Sequence, residues 1–307
     1  MNISVLICTW NNSKRLAVTL ETFTQCIIPP NTSWELVLVN NNCTDDTDQI
    51  VERYFNRLPI VYVHEPLQGL SQARNTALSS AKGELILFAD DDVKPEQNWI
   101  LAYWKAFQQY PQGYFFGGPV ISDFERDDFD KDLLQYATQS VSGLNFGDSE
   151  KVINKWYFIG ANWACAKTAL DKVGGFDTNK GLNPTSGKVI TGEETDLIDR
   201  LRSIGLQALY LPKASLRHFV PAWKCTLSHI SIRQEAYYKE LSLEKIKNYQ
   251  GPVIFGIPRW MVKAIVLNYL KWILRKITFK KGYKEYIEYR ETLGSIKGAY
   301  AFKKSQK

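Results

Sequence analysis

Residues 85–99 read LILFADDDVKPEQNW. Five apolar residues, Leu85 to Ala89, run directly into Asp90, Asp91 and Asp92. A short continuous apolar run bounded by polar residues is the pattern of a strand buried on both faces. Three adjacent carboxylates at its end repel one another, and at least one would hold a proton more tightly than usual unless a cation sat among them. Hard oxygen ligands of this kind suit a divalent ion. The plainer alternative has one aspartate capping the next turn and the others solvated.

Outward from this strand, strands and helices alternate. ISVLICTW (3–10) is a β-branched, apolar strand, and SKRLAVTLETFTQC (13–26) brings Leu16, Leu20 and Phe23 to helical spacing. WELVLVNN (34–41) is a second strand, and TDDTDQIVERYFNRL (44–58) a helix with Thr44 and carboxylates in its first turn, as capping favours. PIVYVHE (59–65) is a third strand, and LSQARNTALSSA (70–81) a helix stopped by Gly83. The alternation predicts parallel crossovers and an α/β fold, a mostly parallel sheet flanked by helices. Such sheets bind ligands at the carboxyl ends of their strands, beside a switch in strand order. Those ends read TWNN (9–12), NNN (40–42) and DDD (90–92).

Beyond Gly118 the pattern loosens. YFIGANWACAKTALDKVGGFD (157–177) reads as strand, short helix and Gly-Gly turn, and GLNPTSGKVITG (181–192) as a mobile loop. EETDLIDRLRSIG (193–205) is a helix, and LQALYLP (206–212) another strand. Glu193 and Glu194 fall in that helix's first turn. The dipole favours a carboxylate there for structural reasons alone, or one of the pair is a general base at the mouth of a site. Asp196 and Arg200 form an ordinary i,i+4 pair. His64 and His229 read as packing residues, and His218 gains interest only beside the acids. Arg74 and Asn75 open a helix after a Gly turn, where they either meet a phosphate or pair with surface groups. No P-loop is present and no GxGxxG follows the first strand, which leaves dinucleotide binding weakly supported.

The chain has 307 residues, 45% hydrophobic and 23% charged, enough for one large domain or somewhat more. Its N-terminus lacks a basic region and reads as a first strand, not a signal peptide. Five cysteines with no CxxC pair argue against a disulfide framework or zinc site and favour a reducing compartment, with Cys8, Cys26 and Cys165 as packing residues. Residues 251–307 hold 13 Lys/Arg against 3 Asp/Glu, whereas residues 1–250 are mildly acidic, with a net charge of −4. A basic tail on an acidic body suggests an anionic partner. Nucleic acid would account for the tail but not for the acid cluster.

Together these segments resemble the family-two inverting glycosyltransferases of the GT-A fold. HEPLQGLSQARNTALSSAKGELILFADDDVKP carries the strongest likeness, with the first two strand–helix units, GANWACAKTALDKVGGFD, GEETDLIDRLRSIG and the His218 segment following in order. The likeness covers about residues 1–225. It implies a catalytic domain of a nucleotide-binding half, about 1–118, and an acceptor half, about 119–225, followed by a helical, basic extension, 226–307. It implies that Asp90, Asp92 and His218 hold Mn²⁺ or Mg²⁺, that Asp91 lies near the donor, and that Thr9, Asn11, Asn40 and Arg74 line the nucleoside side. Glu194 is then the catalytic base, with Glu193, Asn162 and Trp163 toward the acceptor. The implied reaction moves a sugar from a nucleotide-sugar donor, UDP-linked by preference, to a saccharide or lipid-linked acceptor in cell-surface polysaccharide synthesis. Three departures stand out: Asn40 where the family often has aspartate, which puts the base preference in doubt; Cys8 where proline is common; and Glu194 where aspartate is usual.

Two other classes stand beside this one: a catalytically inactive scaffold of the same fold, and a nucleotidyltransferase, for which TWNNSKR is a poor phosphate loop. In the tail, RWMVKAIVLNYLKWILRKI (259–277) is too often interrupted by Lys and Arg to span a bilayer. Met261, Val262, Ile265, Val266, Tyr269, Trp272 and Ile273 share one helical face. This face is expected either on an anionic membrane, giving a cytoplasmic protein peripheral to the inner face, or packed on the catalytic domain with the basic residues outward.

Overall fold

The computed structural model describes residues 1–182, 192–247, 249–278 and 280–305. The expected loop at 181–192 therefore lies almost wholly outside the described residues. The chain forms two compact units, one of Met1–Asp123 with Gly143–Phe219, the other of Phe124–Ser142 with Val220–Lys307. This division and the expected one at 225/226 differ over residues 124–142 and 220–225.

The first unit is built on an eight-stranded sheet. Its chain order begins β1 (Ile3–Thr9), α1 (Ser13–Phe23), β2 (Trp34–Asn40), α2 (Thr47–Glu52), β3 (Ile60–His64), α3 (Leu70–Ser80) and β4 (Leu85–Asp90). There follow β5 (Val93–Pro95), α4 (Trp99–Gln109), β6 (Tyr114–Gly117) and β7 (Val120–Phe124). After α5 (Gln139–Ser142), which belongs to the second unit, come β8 (Lys151–Val152), β9 (Trp163–Ala166), α6 (Lys167–Val173), α7 (Glu193–Ser203), β10 (Gln207–Tyr210) and β11 (Leu216–Val220). The sheet order is β3-β2-β1-β4-β9-β6-β10-β8.

Strands β3, β2, β1 and β4 are parallel, and β9 runs antiparallel between β4 and β6. From β1 the chain steps outward to β2 and β3, then returns to place β4 on the other side of β1. The switch in strand order thus falls between β1 and β4, where Cys8 pairs with Asp90, while on the other side of β1 Thr9 pairs with Asn40 of β2. The apolar sequences of β1, β2 and β4 are buried nearly end to end because helices cover both faces. At the β4–β9 seam Phe88 lies opposite Trp163, with the rings stacked 4.2 Å apart.

Two local features differ from expectation. Helix α2 is short: it starts late, at Thr47, where the Asp45 carboxylate accepts from the Ser13 amide at 2.9 Å and the Thr47 hydroxyl at 2.6 Å, and after Glu52 the chain continues as turns. Immediately after the acids, the three residues of β5 join a small sheet ordered β5-β11-β7, where His218 lies opposite Val93.

The second unit contains α8 (Leu227–Lys247), a hairpin of β12 (Val253–Ile254) and β13 (Ile257–Pro258), α9 (Arg259–Ile277) and α10 (Tyr283–Ser305). Part of the face expected on 259–277 packs on α10, a contact that neither expectation named. The face bearing Met261, Tyr269 and Trp272 is the packed one: Met261 is buried, and Trp272 stacks on Tyr289 of α10 with rings 6.1 Å apart. Tyr269 meets Tyr289 at 5.4 Å and Trp272 meets Tyr286 at 4.9 Å. Met261, Tyr269 and Trp272 thus tie α9 into the helical unit, while Val266 of the expected face stays exposed.

Candidate active site

The acids at the end of β4 divide into two environments. The carboxylate of Asp91 is held by the Thr9 hydroxyl at 2.5 Å and the Asn12 amide at 2.7 Å. Thr19 fixes the backbone on either side, donating to the carbonyls of Asp91 at 2.9 Å and Val93 at 2.8 Å. Asp90 ends β4 and Asp92 lies in the turn before β5. With His218 they form a trio whose ligand atoms all lie within 4.8 Å of one another. His218 Nε2 is 3.3 Å from Asp92 Oδ1, and Phe219 N donates to Asp92 O at 2.9 Å, so β11 fixes the imidazole against the acid. Two carboxylates and one imidazole at this spacing fit a hard divalent ion such as Mn²⁺ or Mg²⁺.

Burial and the neighbouring Asp92 charge push Asp91 up to about 7, against the opposing hydrogen bonds from Thr9 and Asn12. Burial raises Asp90 as well, with Arg74 opposing and Asp92 adding to the shift. Cys8, in register with Asp90, is pushed up to about 12, chiefly by burial, and so is an inert packing thiol.

Arg74 joins the acids to the glutamates. It is only 5% exposed, yet its guanidinium reaches Glu194 Oε1 at 2.6 Å, Glu193 Oε1 at 3.2 Å and Asp90 Oδ1 at 3.4 Å. The Phe176 ring lies 5.3 Å from its centre, and Asn75 secures Phe176 through both of its backbone polar groups, at 2.8 and 2.9 Å. Arg74 and Asn75 thus serve the site's own scaffold.

The two glutamates diverge. Burial pushes Glu193 up to about 7, with the Glu194 charge adding and Arg74 opposing. Burial would raise Glu194 too, but the charge and hydrogen bond of Arg74 outweigh it and hold that carboxyl below the usual range. Glu194 is therefore the ionised member at neutral pH, and its side chain keeps 21% of its exposure against 4% for Glu193. Among adjacent acids, the ionised and accessible one is the better proton acceptor.

Gly160 is what makes room for this arrangement. A Cβ placed there would overlap Glu194 Oε1 and lie 2.8 Å from Glu194 Cδ and 2.9 Å from Arg74 Nη2. The side-chain pair occupies the space that any other residue would fill.

On the β1–β2 side, Asn40 is buried and fully engaged. Its amide donates to Asp48 and to the Tyr62 hydroxyl, both at 2.9 Å, and its carbonyl accepts from Cys43 N at 2.8 Å. Asn11, at φ +49°, uses its carbonyl to hold Thr44 N at 2.7 Å. Both asparagines hold the segment that follows β2.

The acceptor-side expectation for Asn162 and Trp163 is corrected: both are fully buried. Asn162 accepts from Trp99 Nε1 at 2.7 Å and Tyr103 OH at 2.8 Å, and donates to the carbonyls of Pro119 at 2.8 Å and Ala214 at 2.9 Å. With every polar atom used, it is a core tie and meets no substrate. Sequence reading passed over Asn12, Thr19, Tyr62, Asp48 and Gly160, because their roles arise from pairings far apart along the chain.

Comparison with known proteins agrees with this geometry. The profile of Glycosyl transferase family 2 matches residues 4–174. The chain is similar to the glucosyl-dolichyl phosphate glucuronosyltransferase of Haloferax volcanii, 22% identical over 71% of this chain and 69% of that one. It is also similar to the poly(ribitol-phosphate) beta-N-acetylglucosaminyltransferase TarS of Staphylococcus aureus, 36% identical over 30% of this chain but only 16% of that much longer one. Among solved structures, the mannosyltransferase PcManGT of Pyrobaculum calidifontis in complex with GDP-Man and Mn²⁺ superposes with a TM-score of 0.59 at 18% identity, covering 100% of this chain and 88% of that one. TarS residues 1–349 in complex with UDP-GlcNAc also give 0.59, at 16% identity, covering 98% and 92%. At these identities the structural likeness establishes the fold, the GT-A architecture.

Proposed function

The chain belongs to glycosyl transferase family 2, and from that premise we propose that it transfers a sugar from a nucleotide-sugar donor to a saccharide or lipid-linked acceptor, with inversion at the anomeric carbon. The observation that carries this reading is a single connected network at the sheet's switch point. The metal-fitting trio of Asp90, Asp92 and His218 lies on one side of Arg74, and the ionised Glu194 on the other.

Glu194 takes the proton from the acceptor hydroxyl as that oxygen attacks the anomeric carbon. The diphosphate leaves from the opposite face, so one displacement inverts the centre without a covalent enzyme intermediate. A divalent cation, Mn²⁺ or Mg²⁺, held by Asp90, Asp92 and His218 would supply Lewis-acid neutralisation of the departing diphosphate. Arg74 keeps Glu194 deprotonated and fixes its orientation. Thr9 and Asp91 face the donor, with Asn11 and Asn40 shaping the nucleoside wall behind them. Glu193 acts beneath Arg74, as a support for the acceptor side.

A UDP-sugar, as in the TarS structure, is the favoured donor and a GDP-sugar, as in PcManGT, the alternative, with cell-surface polysaccharide synthesis the favoured setting. The proposed division of labour is a nucleotide half at about 1–118, an acceptor half at about 119–225 and an extension at 226–307. A cytoplasmic place on the inner face of a membrane belongs to the same proposal.

Binding of UDP, GDP and their sugars, with and without Mn²⁺, tests the reading by thermal shift. One diphosphate is expected to raise the melting temperature by several degrees, since saturation at 100 times Kd contributes about 2.7 kcal/mol. That rise is expected to need the cation and to vanish in Asp92→Ala. A cation-independent rise, or one that survives in Asp92→Ala, counts against the trio.

Gly160→Ala forces the Glu194–Arg74 pair to move. The expected result is a modest stability loss of about 1–3 kcal/mol and a fall in transfer of about 10²-fold, with the donor-induced shift retained. An unchanged kcat would show that the pair yields without consequence for the chemistry.

A further inference from the structure

We propose that the second unit docks on an anionic bilayer surface, through the tip of the β12–β13 hairpin and the outward stripe of α9. The stripe lies opposite the face that packs on α10. Leu267, Leu270, Leu274 and Ile277 recur at three- and four-residue spacing, and all are exposed, Leu274 by 62% and Ile277 by 68%. The apolar character of α9 therefore exceeds what its own unit buries.

The hairpin gives an independent sign. Phe255 and Gly256 form its two-residue tip, at φ +52° and +83°. Asn-Gly or Asp-Gly suits such a turn, whereas a bulky side chain at positive φ is strained. Phe255 occupies that strained position with 89% of its surface in solvent, flanked by exposed Val253 and Ile254. Neither folding nor core packing gains from a phenylalanine there. An apolar tip that enters the interfacial region of a bilayer does.

Charge selects the occupant. Residues 245–284 hold ten Lys/Arg and no Asp/Glu. Arg275 is paired with Glu285 at 2.6 Å and Lys281 with Asp130 at 2.7 Å. Among the described residues Arg259, Lys263, Lys271 and Lys276 make no ion pair; Lys263 falls at the N-terminal end of the apolar stripe and Lys271 borders it. A second copy would bring like charges together along this face, whereas anionic headgroups would neutralise them while the stripe enters below. Among the described residues no helix is long and apolar enough to cross a membrane, so the mode is docking in the interface plane.

The test uses the full chain and flotation with phosphatidylcholine vesicles, with and without phosphatidylglycerol. The protein is expected to float with the anionic vesicles only. The double substitution Leu270→Gln with Leu274→Gln is expected to weaken binding by at least about tenfold. Phe255→Asn is expected to weaken binding while its melting temperature holds or rises, because Asn tolerates the left-handed region; this separates a docking role from a structural one. Equal flotation of wild type and variants, or none with either vesicle, overturns the proposal. A wild-type dimer in light scattering that Leu270→Gln with Leu274→Gln dissolves overturns it in favour of a second copy. The donor-induced thermal shift, measured in the same samples, is expected to be unchanged in these variants, so failure here is distinguishable from failure of the transferase reading.

Discussion

Glu194→Gln is expected to lower transfer by about 10²–10⁴-fold and to leave the donor-induced thermal shift in Mn²⁺ intact. The amide keeps the shape of the side chain, and its carbonyl still accepts from Arg74, which now reaches Glu194 at 2.6 Å. What disappears is the capacity to take a proton. The neighbour provides the control. Glu193 is nearly out of solvent, and burial raises it, so Glu193→Gln replaces a carboxyl that already holds a proton over much of the pH range. Its expected effect on kcat is correspondingly smaller. Single-turnover transfer with a saturating donor separates the two, because it isolates the chemical step from product release. If Glu193→Gln proves the more damaging, the roles of the adjacent glutamates are exchanged. If Glu194→Gln also loses the thermal shift, the residue is a donor contact or a strut.

The fold was readable where burial is continuous. Strands β1, β2 and β4 are apolar over nearly their whole length, and such runs separated by amphipathic helices admit few arrangements other than parallel crossovers. The acid pair was readable for a related reason: Asp90 and Asp92 stand at a strand end, where topology concentrates ligands, whereas His218 entered only through the family likeness. The strand β5 was not, since three residues carry no period. Its pairing with β11 is nonetheless what delivers His218. Asn162 shows the opposite failure. An asparagine beside a tryptophan reads as a polar surface feature, and only the distant carbonyls of Pro119 and Ala214 reveal a buried tie. Gly160 carries no local signal at all, because the atoms that exclude a side chain come from residues 74 and 194. On α9 the sequence displays apolar residues on more than one side, and only contact with α10 shows which of them are covered.

Arg74→Leu is expected to cost about 3–5 kcal/mol of stability near neutral pH, the largest stability effect of any change considered at this site. The guanidinium is buried among three carboxylates, and their charges outweigh the burial that would otherwise make it give up its proton. Leucine fills part of the volume but leaves Asp90, Glu193 and Glu194 facing one another without a cation. Each would then prefer its neutral form, with a folded affinity for protons above that of the unfolded chain. Stability held by protonated carboxyls is fully present below the usual glutamate value of about 4.3 and is lost as pH rises through the elevated folded value. The deficit of Arg74→Leu relative to wild type is therefore expected to shrink as pH falls from 8 toward 5. Urea unfolding across that range checks this, with Arg74→Lys beside it. Lysine restores one charge but cannot bridge three acids from a single ammonium, so it is expected to recover part of the stability and little of the transfer. A deficit independent of pH would mean that Arg74 matters through packing against Phe176, and the electrostatic link between Asp90 and Glu194 would be set aside.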